Sequence, residues 1–176
     1  MQKLKIREQD NTSEDEDRLL FLKYALPCAG TLVKRGKVTQ EYVDSLIKLV
    51  SEGRVPEENA EAMFKVANAM CEHIAARMGK SSIDAEVIRD YFLMEHSKVV
   101  DERYELMRDF DPSACKTYSG KVLGVGEGTA LVETSRGRKE YKTVFEKGVR
   151  EGDVVAVHFD FIVEKIPPSL ARRMGQ

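Results

Sequence analysis

The sequence predicts an α+β fold, with an N-terminal helical bundle followed by a small C-terminal five-stranded β-barrel. Three observations place the change near residue 110. Residues 1–111 carry 17 Lys and Arg against 22 Asp and Glu, whereas residues 112–176 carry 11 against 8. Seven of the twelve glycines fall between Gly120 and Gly152. At the same place the apolar periodicity passes from helical to strand-like. The expected organisation is a flexible tail over 1–14, a helical bundle over 15–110 and a barrel over 115–176 that ends in a short helix.

Each helix has its own signature. Residues 15–34 are apolar and helical, with Pro27 expected to break or kink them. Thr39 can cap a helix over residues 40–51 that turns Val43, Leu46, Ile47 and Val50 inward and stops at Gly53. Over 60–78, Ala60, Met63, Phe64, Ala67, Met70, Cys71, Ile74, Ala75 and Met78 recur at spacings of three and four. They predict one continuous helix with an apolar stripe, Pro56 ahead of it and Gly79 as its C-terminal stop. A long helix over 84–107 carries Ile88, Phe92, Val99 and Leu106 on one side.

The strands follow from β-branched and aromatic runs at 118–124, 129–133, 139–145, 154–161 and 162–166. Turn residues separate them, in Gly126-Glu127-Gly128, Ser135-Arg136-Gly137 and the stretch from Gly148 to Gly152. So small an antiparallel sheet removes its edges by closing into a barrel. Residues 169–174 form the final short helix.

Net charge is −2, so no global charge argues for nucleic-acid or membrane binding. No run approaches the roughly 18 apolar residues of a membrane span. The stretch Met1–Asp17 is polar and acidic, unlike a secretory signal. Three cysteines are an odd number for a disulfide framework. A soluble cytoplasmic protein is expected.

Cys71 lies in the apolar stripe and reads as a buried structural thiol. Cys28 follows Pro27 at the kink and reads as packed. Cys115 lies in the polar segment Asp111-Pro112-Ser113-Ala114-Cys115-Lys116-Thr117, claimed by no stripe. It is either an exposed thiol whose thiolate Lys116 favours, or an incidental linker cysteine. Cys71 and His73 are two apart on a helix and diverge too far to share a metal. His96 reads as a packing histidine, and His158 as a barrel-surface or hydrogen-bonded residue. With no paired CxxC, a structural zinc site is not expected.

The Gly124–Gly128 segment is followed by a strand and reads as a hairpin turn, not a phosphate loop. The acidic runs 14–17 and 57–61 read as solvated faces. No nucleophile stands with a base and an orienting group, so no enzyme is expected. Arg136, Arg138 and Lys139 share one hairpin and raise an alternative of OB-type nucleic-acid binding, with Tyr118, Tyr141 and Phe145 as stacking platforms or as core.

Read as a string, the barrel region resembles a known family. Cys115-Lys-Thr-Tyr-Ser-Gly120-Lys121-Val122, then Ala130-Leu-Val-Glu, Val149-Arg-Glu-Gly152-Asp153-Val-Val-Ala-Val-His158 and Phe161-Ile-Val-Glu164-Lys165-Ile166 follow the HypC/HupF pattern. Those proteins are small chaperones for assembly of the metal centre of nickel–iron hydrogenases. The similarity covers residues 115–172, about a third of the chain. Family members have Pro where this chain has Ser119, commonly a glycine where it has Asp160, and a cysteine next to the initiator Met where Cys115 is internal.

The resemblance implies an OB-like barrel and a chaperone or carrier without turnover of its own. It implies Cys115, Gly120, Lys121 and His158 as partner- or iron-binding residues. The implied partners are a HypD-like maturation factor and a hydrogenase large-subunit precursor or another client, with iron held transiently and no permanent cofactor. The helical domain is expected to dock a client, replace a partner or mediate homodimerisation. The alternative to a carrier is a protein-interaction module that keeps the barrel without thiol chemistry.

Overall fold

In the computed structural model the backbone is described for residues 2–104 and 111–175, and the side chains for 13–103 and 111–175. The chain divides into two units, Met1–Tyr91 and Phe92–Gln176, at a point inside a π-helical turn over Asp90–Glu95. No helix among the described residues is long and apolar enough to cross a membrane.

The first unit is helical. Helix α1 spans Gln2–Ala25 and so includes most of the residues expected as a tail. Pro27 interrupts the helical path as expected: a 3-10 turn, Leu26–Cys28, separates α1 from α2, Ala29–Lys34. Helix α3, Gln40–Ser51, has the predicted bounds, and Thr39 caps it by accepting from the Tyr42 N–H at 3.2 Å. Val43, Leu46 and Val50 are buried, as the stripe requires.

The expected continuous helix over 60–78 is instead a 3-10 turn, Ala60–Met63, followed by α4, Lys65–Arg77. Phe64 breaks it with a non-helical ψ of 63°. Tertiary bonds hold this junction. Asn68 Nδ2 donates to the carbonyls of Glu61 (2.6 Å) and Phe64 (3.2 Å), so side chains satisfy what a helix would have paired internally. Glu61, expected on a solvated face, is buried and bonded to Arg18 Nε at 2.6 Å. Gly79 ends α4 with a φ of +69°, while the Lys80 N–H reaches back to the Ala75 carbonyl at 2.9 Å.

The expected single helix over 84–107 is segmented into α5 (Ala85–Arg89), the π-helical turn and α6 (His96–Tyr104). Asp84 caps α5 through the Val87 N–H at 3.0 Å. The expected stripe residue Leu106 and helix end Met107 lie outside the described residues.

In the second unit, α6 and the one-turn helix α7 (Pro112–Cys115) precede five strands: β1 Thr117–Val125, β2 Thr129–Thr134, β3 Gly137–Lys142, β4 Val154–His158 and β5 Phe161–Lys165. Helix α8, Pro168–Arg173, closes the chain. Strand pairings run β1-β2-β3-β5-β4 and return from β4 to β1, so every strand has two neighbours. All pairings are antiparallel except the single parallel contact of Lys142 with Phe161. The core inside this ring is Val122, Ala130, Val132, Tyr141, Val149, Val155, Val157 and Ile162, with Tyr118 packed against it.

Candidate metal centre

Strand alternation places the first candidate ligand. Val155 and Val157 of β4 enter the core cluster, so Ala156 and His158 belong to the opposite face of the strand. A histidine on an outer face is ordinarily solvated, yet His158 is fully buried. The rings of Phe92, His96 and Phe159 lie against it, with centroids 6.5, 5.1 and 5.3 Å away. Phe159 holds a positive φ of 52° in the turn that follows, a conformation rare for a side chain of this size.

Cys115 corrects an expectation. It was anticipated on an exposed linker, but it ends α7 and is 9% exposed. Short-range capping and long-range bonds together dock the segment. Asp111 Oδ1 accepts from the Ser113 N–H (3.0 Å) and hydroxyl (2.6 Å), and Pro112 starts the turn. The Ser113 carbonyl then accepts from Tyr118 Oη at 3.1 Å and Arg136 Nη1 at 2.9 Å. Lys116, expected to favour the thiolate, pairs with Asp101 at 2.7 Å.

The carbonyl of Cys115 lies 2.8 Å from His158 Nε2. A carbonyl only accepts, so Nε2 is the donor in this bond. Ligating imidazoles are commonly oriented in this way, by donation from one ring nitrogen to a main-chain oxygen. The side chain of the same cysteine is hydrogen-bonded to His96. Burial pulls the His96 imidazole below the ordinary histidine value. The Cys115 bond opposes that shift and the nearby His158 adds to it. The lowering favours the neutral ring, the form in which imidazole binds metals.

Within this unit the donor atoms of His96, Cys115 and His158 all lie within 4.8 Å of one another. The lack of paired CxxC spacing argued only against a structural zinc site, and this cluster is a candidate metal site of a different, non-local kind. Its members are 19 and 43 residues apart in sequence; the resemblance singled out Cys115 and His158, and His96 is the member that sequence reasoning missed. For His96 the signal was weak, being only its place on the apolar side of its helix.

The other candidates lie elsewhere. Gly120 is in β1, where an added Cβ would sit 2.5 Å from Val132 Cγ1, and its absence permits the β1–β2 approach. Lys121 is exposed on the same strand. Cys71 is fully buried, and burial pushes its thiol up to about 12, which fits the structural role expected of it. His73 is exposed. The stacking platforms considered for nucleic acid are occupied otherwise: Tyr141 and Phe145 are buried, Phe145 stacked on Phe161 at 5.2 Å. Arg138 and Lys139 pair with Glu133 (2.8 Å) and Asp160 (2.6 Å).

In comparisons with family models, curated proteins and solved structures, nothing matches the chain.

Proposed function

We propose that this chain is a HypC-type assembly or carrier protein, cytoplasmic and without turnover of its own. It binds a transition-metal fragment through Cys115 and His158 and delivers it to a client. The observation that carries this reading is the direct bond from His158 to Cys115, which brings a thiol and an imidazole of the resembling region to one buried point. Thiolate and imidazole are the donors that suit iron, zinc and copper rather than magnesium or calcium. The cyclic pairing of five strands supports an OB-like barrel as the scaffold. Because Cys115 is 9% exposed, delivery to a HypD-like factor or a hydrogenase precursor requires α7 to lift from the sheet.

The same burial favours a second reading, a protein-interaction module in which the thiol is only packed. Anaerobic co-expression with hydrogenase-maturation partners separates the two. The carrier reading expects captured partner, iron, and infrared CO or cyanide stretches in the wild type, all lost in Cys115→Ala. Capture that survives in Cys115→Ala without iron supports the interaction module. No capture and no iron in the wild type overturns the carrier.

A further inference from the structure

We infer that His96, Cys115 and His158 form a resident binding site for a divalent ion of the zinc or iron(II) class, with His96 as a ligand supplied by helix α6. The inference shares the Cys115–His158 pair with the carrier reading and rests on it there. It adds that the ion is bound by the chain alone, before any partner is met.

Three physical arguments carry it. First, the three donors come from separate elements, α6, α7 and β4, and converge with all donor atoms within 4.8 Å. At bond lengths of about 2.0–2.1 Å to nitrogen and 2.3 Å to sulfur, a tetrahedral ion holds neighbouring donors roughly 3.3–3.8 Å apart. The observed limit is thus reachable by side-chain adjustment of about 1 Å. Second, His96 is 5% exposed and His158 fully buried, so both rings stand in a water-excluded surround in which little solvent competes for an ion. Third, the site has an ordered surround. His158 is oriented by the Cys115 carbonyl, and the ring of Phe92 stands 5.5 Å from that of His96. Such supports hold ligand rings in place and limit access of water.

One thiolate and two imidazoles select borderline ions over calcium or magnesium, which take oxygen donors.

The test uses the full-length protein, stripped with a chelator and titrated anaerobically with Co²⁺, then with Zn²⁺ in competition. Wild type and the exposed-histidine control His73→Ala should each bind one equivalent, with a thiolate-to-cobalt charge-transfer band and a raised Tm. Cys115→Ser should lose the band. His96→Phe preserves an aromatic ring against Phe92 and should weaken binding by at least about tenfold. His96→Gln, a smaller polar replacement, should do the same, and the metal-free Tm of each variant verifies folding. If folded His96→Phe and His96→Gln bind as the wild type does, His96 is not a ligand, although the carrier pair stands. If the wild type binds no Co²⁺ or Zn²⁺, the resident site is overturned, while partner-dependent loading remains a separate result of the co-expression experiment. A band unchanged in Cys115→Ser overturns both.

Discussion

His158 donates its Nε2–H to the main-chain oxygen of Cys115 across 2.8 Å, joining residues 43 positions apart. The bond ties the last residue of β4 to the end of α7 and fixes the orientation of the imidazole ring. Replacing His158 removes the donor and leaves a buried carbonyl unsatisfied. His158→Phe is expected to lower stability by about 1–3 kcal/mol and to speed alkylation of Cys115 as α7 loosens. Urea unfolding and timed thiol labelling check both, and unchanged labelling would mean that the bond does not hold the thiol in place.

Gly120 tests the closeness of β1 and β2. An added methyl would meet Val132 Cγ1 at 2.5 Å and the Glu133 carbonyl oxygen at 2.9 Å, and the second of these is backbone that cannot swing away. Gly120→Ala is expected to cost about 1–3 kcal/mol. Lys121→Ala, on the exposed neighbour, should stay within about 0.5 kcal/mol. Thermal unfolding of the two variants side by side reads the difference.

Arg18 holds the irregular segment before α4. Its guanidinium bonds Glu61 through Nε at 2.6 Å and Nη2 at 3.3 Å, and Nη2 also donates to the carbonyls of Pro56 (3.0 Å) and Glu58 (3.1 Å). Arg18→Ala strands a buried carboxylate and is expected to destabilise by about 2 kcal/mol. Arg18→Lys should recover only part, because an ammonium cannot reproduce the planar fork. Arg18→Ala/Glu61→Gln should be less damaged than Arg18→Ala alone.

Asp84 gives the helical unit a pH dependence. Partial burial pushes its carboxyl up. The Lys80 ammonium at 2.6 Å and the Val87 N–H together outweigh that, so the folded value lies below the ordinary one. A carboxyl lowered on folding contributes stability that is present above its unfolded pKa, about 3.9, and lost as pH falls through the folded value. Wild-type stability should therefore decline below about pH 4, with a smaller decline in Asp84→Asn, which keeps a capping oxygen but not the charge. Asp84→Ala also loses the cap, at about 1 kcal/mol. Denaturant unfolding between pH 3 and 7 resolves the three proteins.

Local chemistry made much of the architecture legible. Thr39, the apolar stripe and Gly53 delimit α3, and Pro27 marks the break between α1 and α2. Strands β1, β2, β4 and β5 lie close to where their β-branched runs place them, whereas β3 begins earlier than expected, at Gly137. What stayed hidden depends on contacts between distant residues. The break at Phe64 lies inside an unbroken apolar stripe, held by Asn68 beside the Arg18–Glu61 pair. Cys115 looked exposed because its neighbours are polar, but those neighbours cap α7 and dock it on the sheet. Alone, His96 looks like a packing residue and His158 like a barrel-surface or hydrogen-bonded one, and only the fold sets their rings 5.1 Å apart beside that thiol.

The most direct measurement is X-ray absorption at the zinc edge of the zinc-loaded full-length protein, compared with Cys115→Ser. We expect a sulfur shell at about 2.3 Å with imidazole nitrogens at about 2.0–2.1 Å, and loss of sulfur scattering in the variant. A shell of oxygen and nitrogen alone in the wild type, or a sulfur shell unchanged by Cys115→Ser, would contradict the assignment of Cys115 as a ligand.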